Sequence, residues 1–161
     1  MRAASIVAHS LDSAYKLRAT ATSLLLSSSP ELRCVNLMCE KVGYGCACRL
    51  ALTVSRMPAL LELDVSHCAL DSLPESVWGC GTLTRLIANG NLLTHLPDNA
   101  AHMPRSLIEL DVRDNVLAAV PWKALAALPS LRSLRVSGNA ALLPAAIEEG
   151  VALLAPRVRI W

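Results

Sequence analysis

Six cysteines stand at positions 34, 39, 46, 48, 68 and 80, and two of them form a Cys46-x-Cys48 pair. Thiolates at short spacing can hold zinc or exchange as disulfides. A zinc centre needs four ligands, and His9, His67, His95 and His102 are scattered along the chain, so the linear spacing predicts no metal site. Residues 1–33 and 81–161 contain no cysteine. The expectation is therefore free, mostly buried thiols, which suits a reducing compartment, cytoplasmic or otherwise intracellular. Nucleophilic chemistry has little to work with: the sequence lacks GxSxG, HExxH and a glycine-rich phosphate loop, and the CxC pair has no adjacent histidine. We expect no enzyme, no cofactor and no small-molecule substrate. The charged residues that recur in a pattern are carboxylates and guanidiniums. Glu-Leu-Asp-Val appears at residues 62–65 and again at 109–112, with Arg85 and Ile87 between them.

Composition narrows the class. Hydrophobic residues make up 53% of 161 residues, charged residues 17%, and mean hydropathy is +0.43. That is greasier than an ordinary soluble domain, at roughly 45–50% apolar and about 25% charged. No run reaches the roughly 18–20 apolar residues a membrane span requires. The length suits one domain with a full core. A net charge of +2 lacks the basic excess of a free-standing nucleic-acid binder.

The elements that position the charged residues come from a repeat. With L standing for any apolar residue, the template LxxLxLxxNxL recurs as LRCVNLMCEKV from Leu32, LLELDVSHCAL from Leu60, LTRLIANGNLL from Leu83, LIELDVRDNVL from Leu107 and LRSLRVSGNAA from Leu131. A period in the low twenties means a solenoid whose units bury their apolar side only against neighbours. Side chains alternate along a strand, so positions 4 and 6 point inward: Val35 and Leu37, Leu63 and Val65, Leu86 and Ala88, Leu110 and Val112, Leu134 and Val136. Position 9 carries Asn91, Asn115 and Asn139, with Cys68 and Glu40 as departures. An Asn there can satisfy backbone groups where the chain leaves the strand. After Val42, residues Ala47, Leu50, Ala51, Val54 and Met57 follow helical spacing. Later units carry Leu73-Pro74, Leu96-Pro97 and Val120-Pro121 after the strand. Residues 144–154 predict a short helix, and the closing APRVRIW predicts a truncated sixth strand with Ala155, Val158 and Ile160 at positions 1, 4 and 6.

This pattern resembles the leucine-rich repeat family, strongly over residues 32–139 and weakly in the flanks. The 28-residue unit from Leu32 is similar to the ribonuclease-inhibitor type. The shorter LP units resemble those of Ras-suppressor-like intracellular proteins. The resemblance implies an α/β solenoid: a curved, parallel, concave sheet of five to seven short strands, with helices or extended turns on the convex side and protein recognition as its usual work. The expected division is 1–31, an N-terminal cap or degenerate repeat; 32–139, the repeats; and 140–161, a C-terminal cap. In the first segment Ile6 and Leu11 are expected in a degenerate strand, and residues 12–29 in a helix whose Leu24, Leu25 and Leu26 cover the first clear repeat. The same segment loosely resembles an organelle transit peptide, with Arg2, Lys16 and Arg18 against one acid, Asp12, which makes a mitochondrial location the second possibility. Extracellular members of the family close both ends with cysteine clusters, a pattern this chain lacks.

Positions 3, 5, 7 and 8 face out from the sheet and are the expected contact residues. Partner-binding candidates are Glu62, Asp64, Arg85, Ile87, Glu109, Asp111, Arg113, Arg135, Arg157 and Arg159, with Met38, Trp78 and Trp122 as further contacts. The acids dominate the centre, and the arginines gather towards the C-terminal end. The leading expectation is a non-enzymatic adaptor or structural subunit of a larger intracellular assembly, gripping a protein partner through the concave face. The alternative is an RNA-associated subunit of a ribonucleoprotein, possibly organellar, touching phosphates with Arg2, Arg18, Arg132, Arg135, Arg157 and Arg159; twelve of the fifteen basic residues are Arg. Control of a GTPase or phosphatase is a third possibility, resting on the family resemblance alone.

Overall fold

A computed structural model describes residues 5–161. Seven short strands form one parallel sheet in strict chain order: β1 (Val7–Ala8), β2 (Ser23–Leu25), β3 (Glu62–Asp64), β4 (Arg85–Ile87), β5 (Glu109–Asp111), β6 (Ser133–Arg135) and β7 (Arg159–Ile160). Helices occupy the return segments: α1 (Leu11–Leu17), α2 (Cys48–Val54), α3 (Glu75–Trp78), α4 (Trp122–Ala126) and α5 (Pro144–Leu154). The return between β4 and β5 carries only a 3-10 turn at Ala100–His102. This is an α/β solenoid, each turn one short parallel strand and a return segment.

From β3 to β6 the register is the expected one. Leu63, Leu86, Leu110 and Leu134 stack as partners across the strands and are all fully buried. Beneath them lie Val65, Ala88, Val112 and Val136, and above them Leu60, Leu83, Leu107 and Leu131. The LP leucines Leu73 and Leu96, and Val120 in the third such unit, close the core from the convex side. Pro144 opens α5 at its first turn, where its missing N–H costs nothing.

The first repeat is placed differently from the expectation. Val35 and Leu37, assigned to the core, are 77% and 87% exposed, and residues 33–47 form a loop outside the sheet. The strand preceding β3 is β2, where Leu24 pairs with Leu63. Ala21, Leu24 and Leu26 are its inward residues, all buried. The segment assigned to a covering helix is thus a strand, and only Leu11–Leu17 is helical. The run Leu24-Leu25-Leu26 hid the alternation, because Leu25 is apolar yet faces outward, and an Ala holds the template's first position. The opening strand is β1, with Ala8 rather than Ile6 buried; Leu11 belongs to α1, capped by Ser10.

The last strand exists in a shifted register. Ser133 pairs with Arg159 and Leu134 with Ile160, so Ile160 takes position 4, not 6. A shift by two preserves which face each residue meets. Arg159 and Trp161 therefore still point to the concave side, while Arg157 falls before the strand and donates to the Ala126 carbonyl at 2.6 Å on the convex side.

Adjacent units are linked by the position-9 asparagines. Asn91 accepts from the amides of Cys68 and Leu70, both at 3.0 Å, and donates to the carbonyls of Val65 and Ala88 at 2.9 and 3.0 Å. Asn115 accepts from Leu93 N and donates to Ala88 and Val112; Asn139 accepts from Leu117 N and donates to Val112 and Val136. Cys68 fills the same position one unit earlier, its thiol donating to the Leu26 carbonyl at 3.1 Å. Burial pushes the Cys68 thiol up, which keeps the proton that this bond uses. Asn115→Ala strands one buried amide and two carbonyls, so we expect a loss of about 3 kcal/mol in urea unfolding. Asn91→Cys retains a donor and should cost measurably less than Asn91→Ala in the same titration; equal losses would show that the donor bonds carry no weight.

Candidate functional site

The outward positions of β2 to β7 form the concave face. Along position 3 stand Ser23, Glu62, Arg85, Glu109, Ser133 and Arg159; along position 5 stand Leu25, Asp64, Ile87, Asp111, Arg135 and Trp161. Parallel pairing puts residues of the same position on adjacent strands about 4.8 Å apart. Repeating Glu at that spacing would be repulsive, and the intervening strand removes the repulsion. Arg85 lies between the two glutamates, Nη1 at 3.0 Å from Glu62 Oε1 and Nε at 3.1 Å from Glu109 Oε2. Arg135 continues the alternation, with Nη1 at 3.2 Å from Glu109 Oε1 and 3.5 Å from Asp111 Oδ2. Ser23 donates to Glu62 at the other end.

Asp111 has a different role from the one expected. It is 2% exposed, and Arg113 clamps both of its oxygens, Nε at 3.0 Å from Oδ1 and Nη2 at 2.7 Å from Oδ2. It is a buried anchor for Arg113 and Arg135, with little surface of its own on the face. Although burial alone would raise its carboxyl, the Arg113 side chain and amide and the Arg135 guanidinium hold it below the usual carboxylate range. Asp64 has no arginine partner among the described residues; it accepts from the Ser66 amide and hydroxyl at 2.9 and 2.6 Å.

The concave centre is consequently a neutralised lattice, not an acidic patch. What remains uncompensated sits at its two ends, Asp64 on β3 and Arg159 on β7, about 19 Å apart across four strand spacings. Trp161, 60% exposed, flanks Arg135 on the same face. Ile87 is half-buried between Asp64 and Asp111. Of the ten candidates, Arg157 is carried to the convex side and Asp111 is buried; the other eight line the concave face. Trp78 and Trp122, expected as contacts, are core residues at 8% exposure, and the Trp122 ring rests on Gly150 of α5, where any Cβ would collide with it. Met38 is exposed but lies on the 33–47 loop, off the sheet. Arg132 turns back to the carbonyls of Pro129 and Leu131, so the arginines proposed for RNA do not converge; Arg2 lies outside the described residues.

Sequence spacing missed a second gathering of side chains. All six cysteines are free thiols, and Cys34, Cys39 and Cys46 bring their sulfurs within 4.8 Å of one another. The expectation of no metal ligand set came from spacing along the chain, which cannot show how the loop folds back.

Geometry thus defines a parallel-sheet solenoid with a polar concave face. Residues 81–140 match the family model described as leucine rich repeat. Over 62 residues, 38% of this chain, the sequence is 42% identical to Toll-like receptor 9 of Canis lupus familiaris, covering 6% of that protein. It is 36% identical to human vasorin over 89 residues, 55% of this chain and 13% of vasorin. It is 38% identical to mouse leucine-rich repeat serine/threonine-protein kinase 1 over 84 residues, 50% of this chain and 4% of the kinase. The chain therefore spans a small part of these relatives' length. Among solved structures, a leucine-rich repeat protein of Leptospira interrogans aligns with 88% of this chain and 46% of its own, at a TM-score of 0.49 and 20% identity. No helix among the described residues is long and apolar enough to cross a membrane.

Asp111 titrates in a way that can be measured. Its folded-state pKa lies below the unfolded value, so its contribution to stability is complete above the ordinary carboxylate range of about 4 and is lost as pH falls through the depressed value. Asp111→Asn should cost about 1–2 kcal/mol at neutral pH, an amount discounted because the partner arginines are partly solvated. Between about pH 6 and pH 3 the melting temperature of the variant should fall less than that of the unaltered protein. Parallel curves would show that Asp111 is not ionised in the native state.

Proposed function

We propose that this chain is a non-enzymatic protein-interaction module that holds a partner against its concave face. The observation that carries this reading is the alternating row Glu62–Arg85–Glu109–Arg135–Asp111, in which each guanidinium bridges carboxylates on neighbouring strands. Exposed ion pairs of this kind add little to stability. They do fix long side chains on a rigid sheet, and that removes part of the ordering cost a partner would otherwise meet. A face held in this state favours a partner with its own fixed polar pattern: a basic group to meet Asp64, and an acidic or aromatic group to meet Arg159 and Trp161. Arg85 and Arg135 are already paired with carboxylates, so neither is a free cation for a phosphate backbone along the sheet, and the dispersed arginines give RNA no continuous track. An adaptor or structural subunit within a larger assembly fits this reading, as does an intracellular location, since buried Cys68 serves as a thiol hydrogen-bond donor.

The test is a comparison of variants in crosslinking of the tagged protein within native extracts. Asp64→Arg and Arg159→Glu, each at an uncompensated end, should reduce recovery of the crosslinked partner at least about tenfold, the effect of roughly 1.4 kcal/mol. Arg132→Glu, off the concave face, should leave recovery unchanged, and all three should melt within a few degrees of the parent because such sites shift stability by only about 0.5 kcal/mol. Loss of the partner with Arg132→Glu, and retention with the two concave variants, would move the interface elsewhere.

A further inference from the structure

The return between β2 and β3 is the longest in the molecule, with 39 residues from Leu24 to Leu63, and residues 33–47 of it form the loop outside the sheet. This loop has almost no core of its own. Val35, Leu37, Met38 and Tyr44 are 77, 87, 92 and 75% exposed. A fifteen-residue excursion with its apolar side chains in water should not hold one conformation without a staple.

Its backbone is nevertheless folded back on itself in a way that collects sulfur. The amide of Cys34 donates to the Tyr44 carbonyl at 2.9 Å, that of Gly43 to the Cys34 carbonyl at 2.8 Å and that of Cys46 to the Leu32 carbonyl at 2.8 Å, which brings Cys34 beside Cys46. The Asn36 side chain accepts from the Met38 amide at 3.0 Å, and the Cys39 amide donates to the Asn36 carbonyl at 2.9 Å; this tight turn swings Cys39 inward. The three sulfurs then lie within 4.8 Å of one another, with Cys34 and Cys46 at 9% and 4% exposure. Cys48, exposed at the first residue of α2, follows Cys46 by two residues and stands outside the group of three. The loop is docked on the solenoid at two points. Lys41 Nζ reaches both oxygens of Asp71 at 2.6 Å, and Gly45 lies so close to the backbone of Cys68 and Ala69 that a Cβ would collide with it.

We infer that Cys34, Cys39, Cys46 and Cys48 form a structural zinc site that holds the 33–47 loop in place. Four thiolates around Zn(II) at about 2.3 Å form a tetrahedron with edges of roughly 3.8 Å; the sulfurs of Cys34, Cys39 and Cys46 already lie near that spacing, and the exposed Cys48 side chain would turn toward them to supply the fourth ligand. The first pair, Cys34-x4-Cys39, falls at the long end of the usual spacing of two to four residues, and the Cys46-x-Cys48 pair is one residue shorter than its short end. Soft sulfur donors in a tetrahedral set select zinc over magnesium or calcium. Binding replaces four thiol protons by one dication and involves no change of oxidation state. Zinc here would supply the fixed conformation that burial does not, and would present the Val35–Leu37–Met38 ridge as an ordered feature beside the N-terminal end of the sheet.

The experiment uses the full chain, purified under reducing conditions without chelator, then saturated with zinc and desalted. About one zinc per chain should remain by elemental analysis, and Co(II) in its place should give a sulfur-to-metal charge-transfer band and the intense visible bands of a tetrahedral site. Cys39→Ser and Cys48→Ser should each lower zinc affinity by at least about tenfold. Cys80→Ser, outside the loop, should retain full binding. Should the serine variants fold poorly, chelation of the unaltered protein gives an independent reading: it should open residues 33–47 to limited proteolysis while the repeats from Leu60 onward stay resistant. Desalted protein free of zinc, a weak octahedral Co(II) spectrum, iron-sulfur absorbance, or full zinc binding by Cys39→Ser would each overturn the assignment.

Discussion

A strand of three residues cannot hold its neighbours by ladder hydrogen bonds alone, and the solenoid depends on what happens where each strand ends. There the chain turns sharply, and several backbone groups are buried with no strand to pair them. Asn91, Asn115 and Asn139 each answer these groups with one acceptor and two donors spanning adjacent units. An amide side chain is the only one short enough and two-sided enough to do so. Cys68 supplies the donor half alone, at the junction where the repeat lengthens and the loop departs.

That junction separates two parts of the molecule with different physics. From β3 to β6 each unit spends a leucine at positions 1 and 4, the register never slips, and the outward residues form continuous rows. The rows make possible a lattice in which like charges on alternate strands are joined by the arginine between them. Before β3 the inward positions are held by Ala8, Ala21, Leu24 and Leu26, and the outward ones by small polar or apolar residues. The charged lattice accordingly ends at Ser23, and the distinguishing feature of the N-terminal half is the cysteine-bearing loop instead.

Both features convert a modest local interaction into a fixed surface. On the sheet, ion pairs of small individual worth hold side chains in one arrangement because the backbone beneath them is rigid. In the loop the backbone has no such support, and the gathered sulfurs of Cys34, Cys39 and Cys46 stand where a core would otherwise be.

The repeat, its inward residues from Leu60 to Val136, the helix over 144–154 and the asparagine positions were legible in the sequence because each follows from a periodicity that the chain must repeat to bury itself. The facing of Arg159 and Trp161 was legible for a related reason: alternation survives a two-residue error in register. Three things were decided only by tertiary structure. LRCVNLMCEKV satisfies the repeat template as well as ATSLLLSSS does, and only pairing against Leu63 selects the second, since a strand is defined by its neighbour. Whether Asp111 is a surface charge or a buried anchor depends on Arg113 folding back and Arg135 reaching across from the next strand. The convergence of Cys34, Cys39 and Cys46 depends on turns within an irregular loop, where side-chain proximity obeys no period that a linear sequence displays.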